Sequence, residues 1–217
     1  MTKPAPTSPH QLALPRMPSA PDDPAQAAQA AQAARLRALL LADARRLALL
    51  RAAAALALPD CWIAAGFVRN AVWDHLAGRA PAPPDTDIDV IWFDRPAAGP
   101  AHPGLDLALA QRLRALEPAA DWSVKHQGRM HRRNGDPPYA DATDAMRHWP
   151  ETATATGVRL GPSGDLEIAA PYGLDDLFAG IVRPTPGFRT RKRDIFDARL
   201  AAKGWLARWP MLRLAVD

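Results

Sequence analysis

A chain of 217 residues, 48% of them apolar, is long enough for one compact domain with tails. Its formal net charge of +4 suits an anionic partner and equally an Arg-rich surface, so it excludes little. The single cysteine, Cys61, rules out an intramolecular disulfide and any Cys-based zinc site, and no apolar run reaches the ~18 residues of a membrane-crossing helix.

Residues 1–23 are Pro-rich and polar, which predicts a disordered tail. They lack the apolar core of a signal peptide, so the expected location is the cytoplasm, with no membrane partner. Asp23 can cap a helix that starts at Pro24, the position proline tolerates best. An alanine-glutamine tract follows, then leucines (Leu36, Leu40, Leu47, Leu50) that fall near one helical stripe. The pattern predicts one long helix over 24–57, packed only in its second half.

From 58 to 213 the pattern alternates in an α/β manner. CWIAAGF reads as a short buried strand and VRNAVWDHLAG as a helix ended by Gly78. TDIDVIWFD reads as a second strand, with Asp87 and Asp89 on one face and Ile88, Val90 and Trp92 on the other. LDLALAQRLRALEP is an amphipathic helix, WSVKHQGRMH a third strand, and 141–148 a short helix. TATATGVRL and DLEIAAP form a hairpin around GPSG, GLDDLF opens a helix, and RDIFDARLAAKGWLARWP is a basic helix with a Trp-bearing apolar face.

Two carboxylates separated by one strand residue have side-chain origins roughly 6–7 Å apart, close enough to share one cation. Flanked by Ile88, Val90, Ile91, Trp92 and Phe93, that pair is expensive without one, and stability alone does not select it. Ahead of it, Ala65-Gly66 leaves the first strand and Val68-Arg69-Asn70 opens the next helix. A strand that turns through glycine into a helix N-terminus presents free N–H groups to phosphate.

AAGFVRN, followed about 16 residues later by DIDV, resembles the Gly-Gly-x-Val-Arg-Asp and Asp-x-Asp signature of tRNA CCA-adding enzymes and poly(A) polymerases. PETATATGVRLGPSGDLEIAAPYGLDDLFAGIVRPT resembles, more loosely, their Arg-Asp-Phe-Thr-Ile-Asn-Ala to Pro-Phe-Gly-Gly-x-x-Asp-Leu stretch. Over residues 57–213 the chain is similar to a family of small bacterial nucleotidyltransferase-like proteins of the DNA polymerase β superfamily, through AGFVRNAVWDHL, DIDVIWFD, SVKHQGRMHRRNGDPPY, DAMRHWPETATATGVRL and LEIAAPYGLDDLF.

That resemblance implies a polymerase β-like α/β (α+β) fold with a mixed central sheet flanked by helices, a nucleoside triphosphate substrate, and Mg²⁺ or Mn²⁺. Asp87 and Asp89 match the metal-binding carboxylates. Ala65 and Gly66 match the Gly-Gly turn under the triphosphate, Arg69 the arginine beside it, and Asn70 the aspartate that follows. Glu151 falls near the acid of the second motif, which contacts the nucleotide's sugar; Glu167, on a candidate strand, is the other choice for a third carboxylate. The implied reaction moves a nucleoside monophosphate to a hydroxyl acceptor, which can be a small molecule, a protein or an RNA. Ala for Gly and Asn for Asp leave open a second reading, a catalytically silent nucleotide- or RNA-binding module. From Arg183 to Arg213 the chain carries Arg189, Arg191, Lys192, Arg193, Arg199, Lys203 and Arg208 against Asp194 and Asp197, a basic stretch that reads as an exposed helical face or as a phosphate contact.

Overall fold

The structure, a computed structural model, describes residues 23–94 and 103–215. The tail expected over 1–23 lies, but for Asp23, outside the described residues. Asp23 accepts a hydrogen bond from the Ala25 N–H, and α1 runs over Pro24–Leu41 with Leu36 and Leu40 fully buried. The single helix expected over 24–57 is two helices. Asp43 takes an extended conformation and its carboxylate accepts from the N–H groups of Arg45 and Arg46, which starts α2 (Ala44–Ala54). A mid-pattern aspartate that caps a new helix offsets the hydrogen bonds lost at the break.

After α2 come β1 (Trp62–Ala64), α3 (Gly66–Leu76), β2 (Ile88–Trp92), α4 (Pro103–Leu116), β3 (Trp122–His126), α5 (Gln127–Asn134) and α6 (Ala142–Arg147). Then follow β4 (Gly157–Leu160), β5 (Leu166–Ala169), α7 (Asp175–Ala179), β6 (Ile181–Val182), α8 (Pro186–Arg189), α9 (Arg193–Lys203), α10 (Trp205–Arg208) and β7 (Arg213–Leu214). Strands β3-β2-β1-β4-β5 form one mixed sheet in that order: β2 and β3 are parallel, joined through α4, and the other pairs are antiparallel. β6 and β7 form a small parallel pair beside it.

Alternation along the strands sorts the two faces. Ile63, Ile88, Val90, Trp122, Val124 and Val158 join a core with Leu49, Leu50, Phe67, Val72 and Leu113 from the helices. Trp62, Ala64, Ile91 and Phe93 face the other way, against Tyr139 and Met146. Trp73 of α3 lies edge-on to Trp205 and Trp209, with ring centres 5.6 and 5.3 Å away, and so ties α3 to the C-terminal helices.

Two other expectations shift. The third strand ends at His126, and the residues that follow it coil into α5, so His131 is helical. Asp106 at the start of α4 accepts from the His126 N–H at 3.3 Å and pairs with Arg129, which bends the chain off the sheet edge. The basic C-terminal helix is cut at Gly204, whose left-handed φ of 59° ends α9 and lets α10 begin. None of the described helices is long and apolar enough to cross a membrane.

Candidate active site

Sheet register brings the turn after β1 against the start of β2. Ala64 is paired with Asp89, and the chain leaves β1 through Ala65 at φ 55°, ψ −119°, a conformation that disfavours any side chain. Gly66 then opens α3. A Cβ on Gly66 would stand 3.0 Å from the Thr86 Oγ1, so the glycine lets the residue just ahead of Asp87 close over the turn. The acids and the helix N-terminus are thereby neighbours.

Asp87 is exposed at the mouth of β2, and Asp89, one pleat further in, is partly buried. Burial first, and the Asp87 charge second, push the Asp89 carboxyl up to about 6; a hydrogen bond to Ser123 and the charges of Arg199 and Arg69 oppose that shift. A carboxylate with a raised pKa beside a second acid is one whose charge its own protein does not neutralise. That is the electrostatic condition a cation relieves. Among the described residues no group of three His, Cys, Asp or Glu side chains could hold a metal ion. Two carboxylates still fit Mg²⁺, which keeps several waters and takes one or two protein carboxylates together with substrate phosphates.

The other expected site residues are distributed unevenly. Arg69 is 4% exposed; it donates to the Thr154 Oγ1 and the Asn70 Oδ1, each at 2.9 Å, and its guanidinium lies 5.2 and 4.3 Å from the rings of Trp73 and Trp205. Burial lowers it to about 10, so it remains a cation at neutral pH. Asn70 is buried with it. Both lie under the turn rather than on a surface open to a ligand. Glu151 joins the same cluster, 1% exposed, and accepts from the Arg199 Nε at 2.8 Å.

Glu167 is not brought to the pair. It lies three strand spacings from β2, about 14 Å at ~4.8 Å per strand, and bonds Arg159 at 2.6 Å across the β4–β5 hairpin. Sequence reasoning missed Ser123, Thr86, Thr154 and the role of Arg199. Register brings Ser123 to Asp89, the Thr86 hydroxyl packs on Gly66, Thr154 accepts from Arg69 and Arg199 donates to Glu151; no local pattern marks these contacts. Arg208 is nearby as well, paired with Asp85 at 2.6 Å, two residues ahead of Asp87.

A family model described as nucleotidyltransferase matches residues 51–214. The chain belongs to this nucleotidyltransferase family. An NMR structure described as a CCA-adding enzyme head domain is 34% identical to it, with a TM-score of 0.75, over 85% of this chain and 96% of that one. The nucleotidyltransferase thus has the polymerase β-like fold of such a head domain. Whole CCA-adding enzymes are more distant. The one from Thermotoga maritima complexed with tRNA is 17% identical with a TM-score of 0.45, over 78% of this chain and 38% of that one. A CCA-adding enzyme with CTP is 16% identical with a TM-score of 0.48, over 78% of this chain and 39% of that one. No curated protein matches.

Proposed function

We propose that this nucleotidyltransferase is metal-dependent and moves a nucleoside monophosphate from a nucleoside triphosphate to an acceptor hydroxyl. The observation that carries the reading is the Asp87–Asp89 pair, incompletely neutralised by its own protein, beside the Ala65–Gly66 turn. Asp87 and Asp89 would hold Mg²⁺ or Mn²⁺. When bound, the ion supplies neutralisation of phosphate charge and polarisation of the attacking oxygen.

The chain's own part is binding and alignment. The first N–H groups of α3 lack intrahelical acceptors and are directed to phosphate oxygens. Arg69 and Asn70 fix the turn from beneath through their bonds to Thr154 and to each other. Ser123 orients Asp89. In the reaction the acceptor oxygen bonds to the α-phosphorus as the bond to the β-bridging oxygen breaks; pyrophosphate leaves, and the hydroxyl proton passes to solvent. Positioning and charge stabilisation supply most of the acceleration in such transfers.

The test is pyrophosphate release by the purified protein with ATP, CTP, GTP and UTP in turn, with and without Mg²⁺. Release that requires the metal supports the reading. Triphosphate binding without release marks the silent module instead, and the buried positions of Arg69 and Asn70 are the observation in that module's favour. Radiolabelled triphosphate in a cell lysate then reports whether RNA, protein or a small molecule becomes labelled.

A further inference from the structure

Two arginines bear on Asp89, Arg69 and Arg199, with Arg208 close by at Asp85, and they differ in what their terminal nitrogens are already committed to. Arg69 is enclosed by rings and hydrogen-bonded at both terminal nitrogens. Arg208 is paired with Asp85 and lies over the Trp209 ring at 4.2 Å. Arg199 is different. It projects from α9, its side chain is 30% exposed, its Nε donates to Glu151 at 2.8 Å, and its guanidinium lies 5.4 Å from the Trp205 ring, but its terminal nitrogens are not taken up as those of Arg69 are. Among the described residues, none accepts from its two terminal nitrogens.

Glu151 is what fixes this arginine. At 1% exposure it has no route to solvent; one oxygen accepts from Arg199 and the other has no hydrogen-bond partner among the described residues. This buried carboxylate, 2.8 Å from the Arg199 Nε, anchors the Arg199 stem. The guanidinium beyond it is a planar fork with both prongs unused, the geometry that grips phosphate oxygens in pairs. Arg199 and Arg69 share the Trp205 ring, at 5.4 and 4.3 Å, and an Arg69 terminal nitrogen lies 3.7 Å from where a Cβ on Gly66 would stand, so the fork is on the side of the Ala65–Gly66 turn.

We propose that Arg199 is the arginine that grips the triphosphate, and that Glu151 is its positioning residue. The proposal rests on the reading of Asp87 and Asp89 as the transfer site. It moves the role expected of Arg69 to a residue 130 positions later in the chain, brought in by the packing of α9. The fork of Arg199 would then hold phosphate oxygens beside the acids that would hold the metal.

The experiment measures equilibrium binding in Mg²⁺ of the four nucleoside triphosphates, of inorganic tripolyphosphate and of the matching nucleoside monophosphates. Arg199→Ala is expected to weaken triphosphate and tripolyphosphate binding by about tenfold or more, with monophosphate binding changed by less than about twofold. Arg199→Lys recovers part of the loss. Arg193→Ala, which removes an equal charge from the same helix, has little effect. Glu151→Gln weakens triphosphate binding in the wild type but adds nothing in the Arg199→Ala background, the signature of one residue acting through another.

Wild-type affinity for triphosphate in Arg199→Ala overturns the proposal, as does an equal loss of monophosphate and triphosphate in a variant whose melting is unchanged. A Glu151→Gln effect that persists undiminished without Arg199 overturns the role of Glu151. Should the wild type bind no triphosphate in Mg²⁺, the transfer reading itself fails and this proposal with it. Binding by the wild type that Arg199→Ala leaves intact removes the proposal alone.

Discussion

Asp89 and Glu167 stand on the same face of one sheet, and register places them in adjoining rows. Glu167 is tied to Arg159, which also lies over the Trp62 ring at 4.1 Å, so its charge is cancelled within the fold. Among the described residues no ion pair is formed by Asp89, and burial together with the Asp87 charge pushes its carboxyl up to about 6. Beside Glu167 lies a cavity of about 380 Å³, lined by Leu50, Ile63, Val158 and Cys61. The contrast is one of charge compensation, which Glu167 has and Asp89 lacks in part, and the proposed role of the acids rests on that difference. A carboxylate that its own fold has neutralised is a strut.

The sharpest way to break the contrast is to remove each acid in turn. Asp89→Ala or Asp87→Ala is expected to lower metal-dependent pyrophosphate release by at least about a hundredfold with the circular dichroism spectrum unchanged. Glu167→Gln should leave release intact and cost about 1 kcal/mol or less in stability, because the Arg159 pair is more than a third exposed. Equal losses from both acids would erase the distinction.

A second large effect belongs to the arginine under the turn. Arg69→Ala leaves Thr154, Asn70 and the flanking rings of Trp73 and Trp205 without their partner, and should lower unfolding stability by about 3 kcal/mol. Denaturant titration measures it. An unchanged midpoint would show that Arg69 is no part of the support.

The pH dependence sharpens the comparison further. In the metal-free protein the folded state holds the Asp89 proton more tightly than the unfolded chain, whose value is 3.8 against about 6. The stabilisation from that group is therefore full below about pH 4 and is lost as pH rises through about 6. Mg²⁺ must displace the same proton. Its effect on the melting temperature should be slight near pH 4 and reach its full size above about pH 6. A magnesium effect independent of pH would show that Asp89 is not a ligand.

The two smallest effects are conformational and chemical. Ala65→Gly should raise stability by about 1 kcal/mol, since φ 55° with ψ −119° strains an alanine and suits a glycine. At the other end of the sheet, burial pushes the Cys61 thiol up to about 12. Alkylation by iodoacetamide near pH 8 should be far slower than that of a free thiol at its usual pKa of ~8.5. Rapid labelling would mean that the cavity beside Glu167 is more open than its packing indicates.

The sequence by itself determined the strand that carries Asp89, which starts one residue after Asp87 and not at Thr86 as its pattern suggested, the turn through Ala65 and Gly66, and the helix that follows. Period-two and 3.6-residue patterns are local, and the resemblance in AAGFVRN and DIDV joined them to a known fold. Helix breaks at Asp43 and Gly204 were less visible, because a cap or a left-handed glycine interrupts a helix without interrupting its apolar stripe. Tertiary structure alone decided which acid was paired, which arginine was buried and which kept its terminal nitrogens exposed beyond an anchored stem. Glu151, Glu167, Arg69 and Arg199 look alike on the page as charged residues near a motif. Their partners are Arg199, Arg159, Thr154 and Glu151, reached across β-hairpins and a helix packed from the far end of the chain. Charge compensation depends on distances that close only when the sheet and α9 are assembled, and no local spacing encodes them.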